Sequence, residues 1–88
     1  MKVAFRRRSL KDLASLPSEV RRRVERFLVE EVPAAESVAA AGKIEQLRGF
    51  PDCYKVRFGD YRVGLRLVGE TLIVERVLHR REIYRKFP

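Results

Sequence analysis

The residues best suited to chemistry in this sequence are cations. Lys55 and Arg57 alternate along residues 54–58, and Arg62 and Arg66 along residues 61–68. Gly59-Asp60 between the two segments is a two-residue loop of the kind that closes a tight hairpin. With that loop, Phe58 pairs with Tyr61, Arg57 with Arg62, Val56 with Val63, and Lys55 with Gly64. Successive strand side chains point to opposite faces. Tyr54, Val56, Phe58, Tyr61, Val63, Leu65 and Leu67 therefore share an apolar face, which must be core. The four cations take the other face. Arg57 sits directly opposite Arg62, and like charges so placed destabilise a sheet. A solvated strand face carries charges too, but it gains nothing by opposing two arginines. No acid of these two strands shares that face. Glu75 on the next strand reaches it if Gly69-Glu70 also closes a two-residue turn. Gly64 leaves an open floor beside Lys55. Converging cations over such a floor predict an anion cradle, and arginine's planar fork suits a phosphate.

The elements that must position this face follow from the rest of the chain. Its 88 residues are enough for a single domain spanning 1–88. Hydrophobic residues make up 45% and charged residues 36%, which excludes wholesale disorder and a membrane protein. No apolar run nears the roughly 20 residues of a membrane-crossing helix. The first residues carry charges before any apolar stretch, unlike a secretory signal, so a cytoplasmic protein is expected. A single cysteine, Cys53, excludes an internal disulfide, and one histidine beside it is too few for a zinc site. The net charge is +8, with 15 arginines and 5 lysines. A small domain this basic meets a polyanion or an acidic protein.

The first half reads as helical after one strand at residues 2–7. Ser9 is a candidate N-cap for a short helix with Leu10, Leu13 and Ala14 on one face. Pro17 suits the first turn of a second helix running to about Glu31. There Val20, Val24, Phe27 and Leu28 form a stripe at helical period, and Pro33 ends it. Residues 34–42 read as a loose turn or a short helical piece. Strands follow at 44–47, 54–58, 61–68 and 71–77, with Gly49, Pro51 and Asp52 as a break. Residues 80–87 suit a short strand or a helical turn. The fold class is α+β, with an N-terminal strand and two helices packed on a small curled antiparallel sheet. Cys53 reads as a small buried hydrophobe, Tyr54 and Phe58 as core, and Phe50 as a loop residue able to stack.

With these residues in view, the chain resembles the RelE/ParE superfamily of toxins from toxin–antitoxin pairs. The resemblance rests on Leu47-Arg48-Gly49, on Pro51-Asp52-Cys53-Tyr54-Lys55-Val56-Arg57, on Gly59-Asp60-Tyr61-Arg62-Val63, and on His79-Arg80-Arg81-Glu82-Ile83-Tyr84-Arg85. The order and spacing of these motifs match the family over nearly the whole chain. RelE-like members cut messenger RNA in the ribosomal A site. ParE-like members poison DNA gyrase and lack the cationic set. The resemblance implies a catalytic set of Lys55, Arg57, Arg62, Arg80 and Tyr84, with either Arg80 or Arg81 as the late arginine and His79 as an addition. Arg57 stands where the family often has Lys. No cofactor or metal is implied. The implied partners are a cognate RelB-like antitoxin, the ribosome at its A site, and the messenger; no membrane is. The toxin would be monomeric or part of a heteromeric complex with its antitoxin.

Metal-free RNA cleavage uses the RNA's own 2′-hydroxyl. It attacks the adjacent phosphorus, the 5′-oxygen leaves, and a cyclic phosphate and a 5′-hydroxyl result. The protein must move two protons and stabilise a phosphorane-like dianion. Acidic residues do not converge on the basic face, so no ordinary general base is evident. On this scheme Arg57 and Arg62 clamp the phosphate, Lys55 and Tyr84 handle protons, and Arg80 balances charge on the leaving side. Arg6, Arg7, Arg8, Arg21, Arg22, Arg23 and Arg66 remain as cations for ribosomal RNA phosphates, or as a solubilising surface. Two other readings stay open: a ParE-like gyrase inhibitor, and a disarmed basic domain that binds RNA without cutting it.

Overall fold

A computed structural model describes all 88 residues. The chain begins with β1 (Lys2–Phe5), α1 (Arg7–Ala14) and α2 (Ser18–Arg26). α2 passes without a break into a π-helical turn, Phe27–Glu31, and a last turn, α3 (Val32–Ala34). Four strands follow: β2 (Glu45–Leu47), β3 (Phe50–Phe58), β4 (Tyr61–Val68) and β5 (Thr71–His79). The last element is a helix, α4 (Arg80–Lys86). The five strands form one sheet in the order β1-β5-β4-β3-β2.

The β3–β4 register matches the sequence reading pair for pair, from Phe58↔Tyr61 to Lys55↔Gly64. Val68 pairs with Thr71, so Gly69-Glu70 is also a two-residue loop. Gly59 has φ +60° and Gly69 φ +61°. A hairpin turn whose first loop residue alone is left-handed demands glycine there. Val56, Phe58, Val63 and Leu65 are buried, together with Val24, Phe27 and Leu28 of the helical segment. This core lies between the sheet's inner face and the helices. The sheet is mixed rather than wholly antiparallel, because β1 joins β5 in parallel with Lys2 beside Thr71. An alternating pattern says which face is buried but not which strand lies alongside.

Several local expectations are corrected. α1 begins at Arg7, so Ser9 is not its cap; Ser9 is buried in the first turn and its hydroxyl donates to the Arg6 carbonyl. The buried stripe is Ser9, Leu13 and Leu16, and Leu10 faces solvent. Pro33 does not end the helix. The preceding π turn, closed by Val32 N–H on the Phe27 carbonyl, admits a proline that has no N–H to give. β3 starts at Phe50, so Phe50 and Pro51 are strand residues, and β5 runs on to His79.

Asp12 docks α1 on β5. Its carboxylate accepts from Arg76 Nε at 2.9 Å, from an Arg76 terminal nitrogen at 3.1 Å and from Val77 N–H at 3.0 Å. The hydrogen bonds to Asp12 hold the Arg76 guanidinium above its usual range. No helix is long and apolar enough to cross a membrane.

Candidate active site

The outer face of the sheet, opposite the main core, carries Lys55, Arg57, Arg62 and Arg66. The observed register sets Arg57 directly across from Arg62. Arg57 is exposed and makes no ion pair; Lys55 makes none either. Arg62 folds against the hairpin tip, donating from one terminal nitrogen to the Gly59 carbonyl at 2.7 Å and the Tyr61 carbonyl at 2.9 Å. Its Nε is buried and has no partner.

α4 brings the C-terminal residues to this face. Its first residue, Arg80, donates its backbone N–H to the Asp60 carbonyl at 2.7 Å, and its guanidinium lies 3.7 Å from the Asp60 carboxylate. The Gly59-Asp60 tip thus gathers Arg62 and Arg80. One turn further along α4, Tyr84 is 57% exposed. The Lys55 Nζ lies 5.7 Å from the centroid of its ring. His79 caps α4 instead, its Nδ1 accepting from Arg81 N–H at 3.2 Å while its ring stands edge-on to Tyr61. Arg81 has only that backbone tether, with no side-chain partner.

Three expectations about this face do not hold. The floor at Gly64 is not open, because the ring of Phe87 occupies it. Ile83 and Phe87 cover Cys53 there, with Leu47 and Leu78 alongside, as a second small core. Burial pushes the Cys53 thiol up, as suits a packed rather than a reactive residue. Acidic residues also converge on this face. Glu75 reaches it, as the two-residue Gly69-Glu70 loop implies, and a bulge between Gly64 and Leu65 leaves it unpaired on β5. Glu75, 4% exposed, holds Arg6 at 3.2 Å, Arg8 at 3.3 Å and Arg66 at 3.6 Å. Asp52 holds Arg66 at 2.9 Å. That hydrogen bond keeps the Asp52 carboxyl below its ordinary range and Arg66 above its own. Arg6, Arg8 and Arg66 are therefore ion-paired rather than free cations. Finally, Glu45 on β2 pairs with Lys55 in the β2–β3 register, which places an exposed carboxylate on the cation face. The Gly and Pro between these two strands hid that register from sequence reasoning.

The remaining basic residues lie apart. Arg21, Arg22 and Arg23 are on α2, across the sheet from Lys55, and Arg23 stacks over Phe58 at 5.8 Å. Arg7 is exposed at the start of α1. A cavity of about 690 Å³, lined by Val38, Tyr54 and Leu67 among others, lies on the inner side away from the cation set. The cation face itself is a stripe running from the hairpin tip (Arg80, Arg62, Arg57) to Lys55 and Tyr84. It is an open surface, as a polymer substrate requires.

The chain is similar to known proteins over its whole length. The model of the family described as the ParE toxin of the type II toxin–antitoxin system parDE matches residues 3–84. Toxin RelE3 of Methanocaldococcus jannaschii is 37% identical, with both chains covered completely. The mRNA interferase toxin RelE of Escherichia coli is 36% identical over 80% of this chain and 70% of its own. Among solved structures, the RelB–RelE antitoxin–toxin complex from Methanococcus jannaschii holds a chain that superposes with a TM-score of 0.81. It shares 34% identity, with 97% of this chain and 99% of that one covered. The isolated E. coli RelE toxin gives 0.69 at 30% identity, with 89% of this chain and 82% of that one covered. The chain belongs to the RelE/ParE toxin family of type II toxin–antitoxin systems, on its RelE-like branch.

Proposed function

We propose that this toxin is an endoribonuclease that cuts messenger RNA in the ribosomal A site without a metal. One observation carries this reading. Arg57 and Arg62 oppose each other with no acid between them, and Arg80, Lys55 and Tyr84 line the same stripe. The fold gains nothing from that repulsion, whereas a phosphate on the stripe would relieve it. The unpartnered Arg62 Nε supports the same reading. The relatives named mRNA interferase support it too.

In the scheme, the 2′-hydroxyl attacks phosphorus and the bond to the 5′-oxygen breaks. Arg57 and Arg62 bind the non-bridging oxygens and offset the charge that builds there. Lys55 and Tyr84 exchange the two protons, one taken from the 2′-hydroxyl and one given to the 5′-oxygen. Glu45, in register with Lys55, is a further carboxylate able to hold a proton beside it. Arg80, tethered to the hairpin tip, takes the late-arginine role. Arg81 has no such tether. The ribosome would supply the in-line geometry that an open stripe cannot impose alone. By analogy with the solved RelB–RelE complexes, an antitoxin of RelB type would bind and silence this chain.

The family model's own name favours a second reading, inhibition of DNA gyrase. A paired assay separates them. On the first reading, the protein degrades reporter messenger in a translating extract and leaves gyrase supercoiling untouched. Lost supercoiling with intact messenger would reverse that choice.

A further inference from the structure

Phe87, the residue that follows α4, lays its ring against Gly64 of β4. A methyl group on Gly64 would sit 2.6 Å from Phe87 Cδ2, 2.7 Å from Cγ and 2.9 Å from Cε2. No side-chain atom fits there while the ring stays, so the glycine is what admits the ring. Phe87 is 4% exposed, and its N–H donates to the Ile83 carbonyl at 2.8 Å. Ile83 and Phe87 are one helical turn apart and seat together over Cys53. The residue after Ile83 is Tyr84. The strand partner of Gly64 is Lys55. The seat of Phe87 and the Lys55–Tyr84 contact therefore share one cross-strand pair and one turn of helix.

We propose that Phe87, latched on Gly64, is a positioning residue that sets Tyr84 against Lys55. This rests on the assignment of Lys55 and Tyr84 to proton transfer. Phe87 touches no substrate. It acts by fixing the angle at which α4 crosses the sheet, and with it the placement of the Tyr84 hydroxyl.

The test uses the full chain carrying Gly64→Ala, Phe87→Ala or Phe87→Leu, each also in a Tyr84→Phe background. In the free protein, nuclear Overhauser cross-peaks between the Lys55 side chain and the Tyr84 ring report the placement without any RNA. They are expected in wild type and Phe87→Leu, and lost in Gly64→Ala and Phe87→Ala. Labelling of the Cys53 thiol beneath the latch should quicken in the same two variants. In single-turnover cleavage on programmed ribosomes, Phe87→Ala should slow the step about 100-fold, with half-saturating ribosome concentration changed less than about 2-fold. In the Tyr84→Phe background Phe87→Ala should cost almost nothing more, because it acts through that hydroxyl. The main core lies across the sheet, and Phe87→Leu keeps an apolar seat if Gly64→Ala fails to fold. Persistent cross-peaks in Phe87→Ala, or a full loss repeated in the Tyr84→Phe background, would overturn the proposal. Wild-type protein that cuts no RNA would overturn the nuclease reading instead, and the cross-peaks would still decide the placement.

Discussion

The ammonium of Lys55 lies over the ring of Tyr84, 5.7 Å from its centroid. The contact joins the middle of β3 to α4, two strand positions along from where Ile83 packs on Cys53. A cation above an aromatic face is held by the ring's quadrupole, by about 0.5–1 kcal/mol where exposed. Its larger consequence is chemical, since two proton-carrying groups stand side by side among arginines.

Removing only the hydroxyl separates these two roles. Tyr84→Phe keeps the ring over Lys55 and should slow single-turnover cleavage about 100-fold, the scale of a lost proton-transfer partner. Tyr84→Ala also frees Lys55 and should be slower still. Equal rates for wild type and Tyr84→Phe would reduce Tyr84 to packing.

Arg57 predicts a trade between stability and activity. Arg57→Gln relieves the opposed pair with Arg62. Urea unfolding should show a gain of about 0.2–1 kcal/mol. Cleavage should fall about 100-fold or more, as when a transition-state charge stabiliser is lost. A variant that is both less stable and fully active would contradict the anion-site reading.

The Asp12 carboxylate is a structural counterpart with no role in the chemistry. Asp12→Ala strands Arg76, whose side chain is 15% exposed, and leaves Val77 N–H unpaired. Breaking such a pair from one side costs about 3 kcal/mol. The urea midpoint should drop accordingly, while the cleavage rate of the folded fraction stays near wild type.

Asp52 gives a pH dependence with a definite sign. Its native carboxyl is held below the usual range, first by the hydrogen bond from Arg66. The stability it contributes is therefore complete above the unfolded value of about 3.9 and is lost as pH falls through the lower native value. Wild type should show this loss in urea midpoints below about pH 4, and Asp52→Asn should show a flatter acid limb. Parallel acid limbs would mean that the Arg66 contact contributes nothing in solution.

The hairpins were legible in the sequence because Gly59-Asp60 and Gly69-Glu70 fix register locally, and strand alternation then sorts core from cation face. Lys55, Arg57 and Arg62 followed from that register alone. Arg80 and Tyr84 came only from the family resemblance, since no local period says that a terminal helix folds back across a sheet. The parallel β1–β5 pairing joins distant segments, so pattern could not reveal it. The place of Glu75 on the cation face followed from the Gly69-Glu70 turn, but its partners did not. Arg6 and Arg8 come from the far end of the chain, so alternation could not show that one acid removes three cations from the free set. Gly64 reads as open space in the sequence although it is the seat of Phe87, because a missing side chain and a filled notch look alike there.

End-mapping of a defined messenger in a reconstituted translation reaction, run beside the same RNA without ribosomes, decides whether the basic stripe cuts RNA in the A site. Cuts are expected only in the A-site codon of ribosome-bound messenger, leaving a 2′,3′-cyclic phosphate and a 5′-hydroxyl, with none in naked RNA. An uncut messenger in both reactions would contradict that expectation.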